Sequence, residues 1–281
     1  MGKFDGKYIR GLVGPVIQRR TRHGLVVQST PDKVNQTEGT KKAQGIFGQG
    51  SILACTIRDN LISVTQGNWD PGMVNRFNTP VRDVLKQCYD KGTDQYTFKE
   101  NSFGRLAGFE FNVKSLLINY LLVSPEVAFQ DNVFKVKVPE IDTTESLRFP
   151  GSTNACEINI AFIPVALHAG RIRQPADFRS FNVQIGQGMV SRQEFEFVAD
   201  PGCLCVAAIG MNYFMLNNGI RTDYNTKVFN PSGVIGAIVV PGVFVEPPLI
   251  KEGNKVHASP WTRVYKMKLP AAEAPDNHSD N

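Results

Sequence analysis

The sequence predicts a mainly β protein of the α+β class: an N-terminal extended arm or hairpin, two helices, then an antiparallel β-sandwich. Beyond residue 95, apolar and polar residues alternate in short runs such as Val133-Phe134-Lys135-Val136-Lys137-Val138 and Phe195-Glu196-Phe197-Val198. Turn clusters such as Phe149-Pro150-Gly151-Ser152 and Asp200-Pro201-Gly202 separate the runs. No helical period is interleaved among them, which favours antiparallel pairing over a parallel α/β sheet.

Taken in order, residues 8–29 hold two apolar, β-prone runs, 12–17 and 25–27, joined by an Arg-rich polar turn. They read as a hairpin or a pair of extended arms. Pro15 cannot donate to a central ladder, which places the first run at an edge or across another element. Asn35 or Thr37 can cap a helix running to about Leu61, because Ala43, Phe47, Ala54, Ile57 and Leu61 recur at helical steps. Glycines at 45, 48 and 50 either weaken that helix or let it pack closely. A second helical pattern runs through Val74, Phe77, Val81, Val84, Leu85 and Cys88 to Gly92, with Asn78-Thr79-Pro80 expected to bend the chain and restart the helix. Strands are expected at 109–113, 133–138, 157–162, 181–185, 195–198, 203–215 and 234–245. The tail from Pro270 lacks apolar anchors and is expected to be disordered. The expected segments are therefore an arm or hairpin at 1–34, helices at 35–94, the sandwich at 95–269 and the tail at 270–281.

At 281 residues, 42% hydrophobic and 20% charged, the chain has an ordinary globular composition and room for one large or two modest domains. Residues 1–10 offer no apolar core for a secretory signal. The longest apolar stretches, 158–167 and 234–245, are broken by Pro or Gly and fall short of the roughly 18 residues of a spanning helix. No membrane insertion is expected, and synthesis in the cytoplasm follows, with any extracellular site reached inside a released particle or by a route without a signal peptide. Cys55, Cys88, Cys156, Cys203 and Cys205 are odd in number and irregularly spaced, which reads as free buried thiols in a reducing compartment. Cys203 and Cys205 share one face of a strand. The net charge of +5 is local: residues 1–50 carry nine Lys or Arg against three acids, which leaves the remainder slightly acidic.

The chemistry of enzymes is missing from the pattern. His23, His168, His257 and His278 stand in four separate segments without metal-ligand spacing. There is no G-x-S-x-G elbow, no phosphate-binding loop and no H-E-x-x-H. Gly186-Gln187-Gly188 follows a strand as a dinucleotide loop would, but its third glycine is absent and a hairpin turn is the better reading. Glu194 and Glu196 alternate with Phe195 and Phe197, the pattern of a strand's wet face. No catalytic residue, cofactor or metal is predicted, and no small-molecule substrate. The strongest functional cluster is Arg19-Arg20-Thr21-Arg22-His23, either a solvated turn or an electrostatic contact with nucleic acid or a neighbouring subunit. Without interleaved aromatics for base stacking, a subunit contact is favoured over nucleic acid. Trp69 and Trp261, both in loop contexts, support one alternative, a carbohydrate-binding sandwich, and a third reading, a hydrolase, would show a cleft with two close carboxylates, one of raised pKa.

The opening Met1-Gly2-Lys3, the glycines Gly6, Gly11 and Gly14 ahead of Val16, GLVVQSTP at 24–31, and Thr37-Glu38 leading into a helix with Lys41, Lys42 and Gln44 on its polar face form a recognisable set. Together they resemble an uncharacterised bacterial domain-of-unknown-function family of signal-less, β-rich proteins. Phe77-Asn78 in the second helix, followed by a sandwich, keeps that family's order of elements. The match covers residues 1–60; it implies this architecture and a bacterial or phage setting, and it implies no catalytic residues.

The function expected is that of a non-enzymatic structural or assembly subunit of a homo-oligomer, a filament or a phage-like particle. Its arm would add to a neighbour by β-augmentation, with Val16, Leu25 and Val27 entering pockets and Arg19, Arg20 and Arg22 supplying the electrostatic contact.

Overall fold

Alternation and turn chemistry give twenty β-strands and three α-helices among the described residues, which in the computed structural model are 2–4, 6–21, 24–30, 37–248, 251–252, 255–256 and 259–271. Contacts divide the chain into two units, Met1–Gln44 and Gly45–Asn281. The fold is mainly β with antiparallel sheets, as the sequence predicts.

In the first unit, β1 (Lys3–Phe4), β2 (Ile9–Val13), β3 (Val16–Thr21) and β4 (Gly24–Ser29) form one antiparallel meander in chain order. The apolar run 12–17 is itself a hairpin, since Val13 pairs with Val16 across the two-residue turn Gly14-Pro15. Gly14 has φ +59°, a conformation glycine adopts without steric cost. Pro15 therefore sits in a turn, where its missing N–H is harmless, and not along an edge strand. Its carbonyl accepts both the Thr30 amide and the Thr30 hydroxyl at 2.7 Å. Arg19 and Arg20, expected in a turn, lie within β3.

The helices are α1 (Glu38–Asn60), α2 (Ile62–Thr65) and α3 (Met73–Cys88). Thr37 takes the N-cap of α1, its hydroxyl oxygen accepting the Thr40 amide at 3.2 Å; Asn35 lies outside the described residues. The expected restart at Pro80 does not occur, and α3 runs through it. An interior proline costs roughly 3 kcal/mol. Burial of Phe77, Val81, Val84 and Leu85 on both sides of it offsets that cost, and the Asn78 side chain is held by Arg58 at 2.7 Å. Of the α1 glycines, Gly50 serves close packing: a Cβ there would lie 2.4 Å from Cγ of Arg82 on α3, whereas Gly45 and Gly48 face open space.

The strands that follow are β5 (Tyr89–Asp90), β6 (Gln95–Tyr96), β7 (Glu126–Gln130), β8 (Val133–Val138), β9 (Ile141–Asp142), β10 (Ala155–Ala166), β11 (Arg171–Arg173) and β12 (Asp177–Gln184). After them come β13 (Met189–Val190), β14 (Gln193–Val198), β15 (Cys203–Asn217), β16 (Ile220–Asp223), β17 (Ser232–Val239), β18 (Lys251–Glu252), β19 (Lys255–Val256) and β20 (Trp261–Arg263). The long strands β10 and β15 pair from Ala155↔Phe214 to Ala166↔Cys203 and form the centre of a seven-stranded sheet. On one face, Ile158, Ile160, Phe162, Cys205 and Ile209 belong to the core shared with the three-stranded sheet β14-β8-β7. On the other, Ala161, Ile163, Val165, Val206 and Ala208 belong to the core shared with α1, α2 and α3. Burial on both faces is why these strands read as near-continuous apolar runs rather than strict alternation.

Several expected strands differ. Residues 109–113 are not a strand: Phe109 and Phe111 pack on Phe77, with ring centroids at 4.9 and 6.0 Å, while Glu110 makes one bridge to Gly233. The alternation there marks two environments rather than a ladder. The Gly186–Gly188 turn closes no hairpin, because β13 pairs with β9 rather than returning along β12. The run 234–245 ends its pairing at Val239, before Pro241-Gly242. Of the tail, only Pro270 and Ala271 are described; the Pro270 carbonyl accepts the Tyr96 amide at 2.8 Å. No helix among the described residues is long and apolar enough to cross a membrane.

A Cβ at Gly210 of β15 would lie 2.5 Å from the Val64 carbonyl of α2, whereas one at Gly48 would meet nothing within 4 Å. In urea denaturation, Gly210→Val is expected to lose at least about 2 kcal/mol of stability. Gly48→Ala is expected to gain up to about 1 kcal/mol.

Candidate functional site

The N-terminal sheet has no buried residue among its described positions, and the first eight residues of α1 are likewise exposed. Register sorts its side chains by face, since cross-strand partners point the same way. The pairs Phe4↔Ile9, Val13↔Val16, Gln18↔Val27 and Arg20↔Leu25 put Phe4, Ile9, Val13, Val16, Leu25 and Val27 on one face, together with Gln18 and Arg20. Phe4 is 71% exposed and Val27 53%, and Ile9, Val13 and Leu25 are also exposed. The opposite face carries Lys3, Leu12, Ile17, Arg19 and Val26.

Of the residues singled out in the sequence, Val16, Arg20, Leu25 and Val27 thus share a face, and Arg19 lies on the other. Arg22 lies outside the described residues. The Arg20 guanidinium stands 6.0 Å from the Tyr8 ring. β3 is paired on both sides, so the free edges of the meander belong to β1 and β4. Phe4, Ile9 and Val13 were not singled out from sequence; their signal was a period of two that becomes visible only once the turn is placed at Gly14-Pro15.

The second unit contains a titratable constellation that sequence reasoning missed, built from α3, the loop before it and the 109–118 segment. Arg76 pairs with Asp70 and donates to the Glu110 backbone carbonyl at 3.0 Å. Asp70 also accepts the Gly72 amide at 2.8 Å and the Val113 amide at 3.3 Å. Burial works to raise the Asp70 carboxyl, but these amides and Arg76 outweigh it and hold it below its usual value. The Glu110 carboxylate accepts the Leu117 amide at 3.0 Å beside a cleft of about 190 Å³ that includes Gly233 and Ile235. Burial pushes this carboxyl up to about 7, partly countered by the Leu117 amide and Arg76. Among the described residues no hydroxyl, thiol or imidazole is hydrogen-bonded to Glu110. The arrangement anchors the loop that ends at Leu117.

Nearby, Asn230 ties three segments together: its side chain donates to the Thr65 carbonyl at 3.0 Å and the Ser232 hydroxyl at 3.1 Å, and its amide donates to the Ser115 hydroxyl at 2.8 Å. This buried network fixes the end of α2 over the sheet.

The two tryptophans are packed. Trp261 is 3% exposed, with Phe244 at 4.5 Å, and presents no open indole face for a sugar; Trp69 is half-buried against the helix-side core. His168 is held by the Leu269 carbonyl at 2.7 Å and packs on Phe98; the other three histidines lie outside the described residues. Cys156, Cys203 and Cys205 are buried, and burial raises their thiols, but Cys55 is exposed and Cys88 only half-buried, which corrects the expectation of five buried thiols. No group of three or more His, Cys, Asp or Glu that could hold a metal occurs among the described residues.

Glu110 is harder to ionise in the folded chain, near 7, than at its ordinary value of 4.5. Its favourable contribution is therefore complete below pH 4.5 and is lost as pH rises through 7. Thermal melts from pH 4 to 8 should show Glu110→Gln flattening that decline, by on the order of 1 kcal/mol after solvent screening. No family model matches the chain, and neither a curated protein nor a solved structure does, so the N-terminal resemblance rests on the residues quoted for it.

Proposed function

We propose that the chain is a non-enzymatic structural subunit that self-associates through its N-terminal sheet, within an oligomer, a filament or a phage-like particle. The observation that carries this reading is a four-stranded sheet with one face of exposed large apolar side chains and no buried residue among its described positions. A sheet gains its stability by burying such a face, and a free-standing small sheet with both faces in water is marginal. The second unit has its own two cores and does not need the first for its packing. An element without a core, attached to one with two, is what a subunit lends to its neighbours. Exposed edges at β1 and β4 leave room for strand addition as well.

Deletion of residues 1–30 tests the reading. Light scattering coupled to size exclusion over a concentration series should show the full chain associating, and the truncated chain remaining folded by circular dichroism but monomeric. A truncated chain that assembles like the full chain removes the sheet from the account.

A further inference from the structure

We infer that the apolar face of the N-terminal sheet is closed by the same face of a second copy of this chain, two four-stranded sheets packing as a small two-fold sandwich. This rests on the self-association reading above and adds to it the partner, the face and the symmetry.

The first argument is area. Phe4, Ile9, Val13, Leu25 and Val27 together leave roughly 400 Å² of apolar side chain open on one side of one sheet, as large as the biggest patch on an ordinary monomer. Doubled by a second copy and completed by Val16 and Gln18, the burial approaches the roughly 1,000 Å² that separates a specific interface from an incidental contact.

The second argument is shape. β3 and β4 are six residues each, about 20 Å long, and four strands span about 15 Å, so each face is a compact rectangle. Two such faces pack at about 10 Å with their strands within about 30° of alignment, the geometry of ordinary sandwiches.

The third argument is charge. Among the described residues the register places no acid on this face and one cation, Arg20, toward the C-terminal end of β3. A surface complementary to it must be apolar through its centre and tolerate a cation at its rim, and the face itself meets that description. Under a two-fold axis the Arg20 end of one sheet would lie over the Val16 and Ser29 end of the other, which keeps the two guanidinium groups apart and lets each reach water. The opposite face, where Lys3 and Arg19 flank Leu12, Ile17 and Val26, stays outside, and its two cations oppose further stacking of sheets.

The test uses the full chain and sedimentation equilibrium. Gln18 lies at the middle of the face, paired with Gly11 and Val27, so it stands near the proposed axis. Gln18→Glu and Gln18→Lys are each expected to weaken self-association at least roughly 30-fold, since each buries two like charges. An equimolar mixture of the two should recover most of the wild-type affinity. Val27→Glu should weaken association by a similar factor. Arg19→Glu, on the outer face, should change it less than roughly threefold. All three positions are partly or fully exposed, and the circular dichroism of each of the four variants should match that of the wild type. Loss in Arg19→Glu with retention in Val27→Glu would overturn the choice of face while leaving self-association intact. Loss in both Gln18 variants without recovery on mixing would overturn the two-fold pairing at Gln18 while leaving self-association through this face intact. A wild-type chain that is monomeric at every concentration would overturn both this inference and the reading on which it rests.

Discussion

A β-sheet exposes two faces and two edges, and the free energy of the folded chain depends on what covers them. In the second unit that constraint is met from both sides. The pairing of β10 with β15 aligns Ile158, Ile160 and Phe162 with Ala207, Ile209 and Met211 on one face, and Ala161, Ile163 and Val165 with Leu204, Val206 and Ala208 on the other. A slip of one residue would exchange those two sets and bring Asn159 and Asn212 onto the opposite face. The helices and the small sheet are where they are because this paired ribbon has two apolar faces to hide.

The close approaches in the second unit follow from the same demand. α2 can lie on the sheet because Gly210 has no side chain, and α1 can lie on α3 because Gly50 has none. The polar groups drawn into these contacts are answered locally: Asn230 closes the end of α2, and Arg76 neutralises Asp70 at the start of α3. The first unit faces the same constraint without such an answer. Its strands are well formed and its turn at Gly14-Pro15 is tight, yet among the described residues of the unit none is buried, so the sheet has no core of its own. Under the proposed self-association a neighbour supplies the missing layer, and association would be the completion of a fold rather than an addition to it.

Much of the architecture is legible in the sequence because it rests on local signals. Period two at 133–138 and 195–198 gives β8 and β14, and the steps through Phe77, Val81 and Val84 give α3. The failures share a cause, which is tertiary context overriding local preference. Pro80 argues for a break that burial of its neighbours prevents, and residues 109–113 alternate without a ladder because Phe109 and Phe111 serve the helix-side core. The proposed association surface was only half legible. Val16, Leu25 and Val27 stand out as β-prone residues, but sorting them from Arg19, and joining them to Phe4, Ile9 and Val13, requires the register of four strands. Glu110 was not legible at all, since its raised proton affinity comes from burial beside Gly233, more than a hundred residues away in the chain.

The central claim is that the N-terminal sheet owes its stability to a partner layer while the second unit does not. Hydrogen exchange by mass spectrometry, followed for the amides of β2, β3 and β4 against those of β10 and β15 at two widely separated protein concentrations, tests it directly. The account predicts that exchange in β2 to β4 slows markedly at the higher concentration, with β10 and β15 equally protected at both. Protection of β2 to β4 that matches β10 and β15 and does not vary with concentration would show the sheet stable alone and contradict the account.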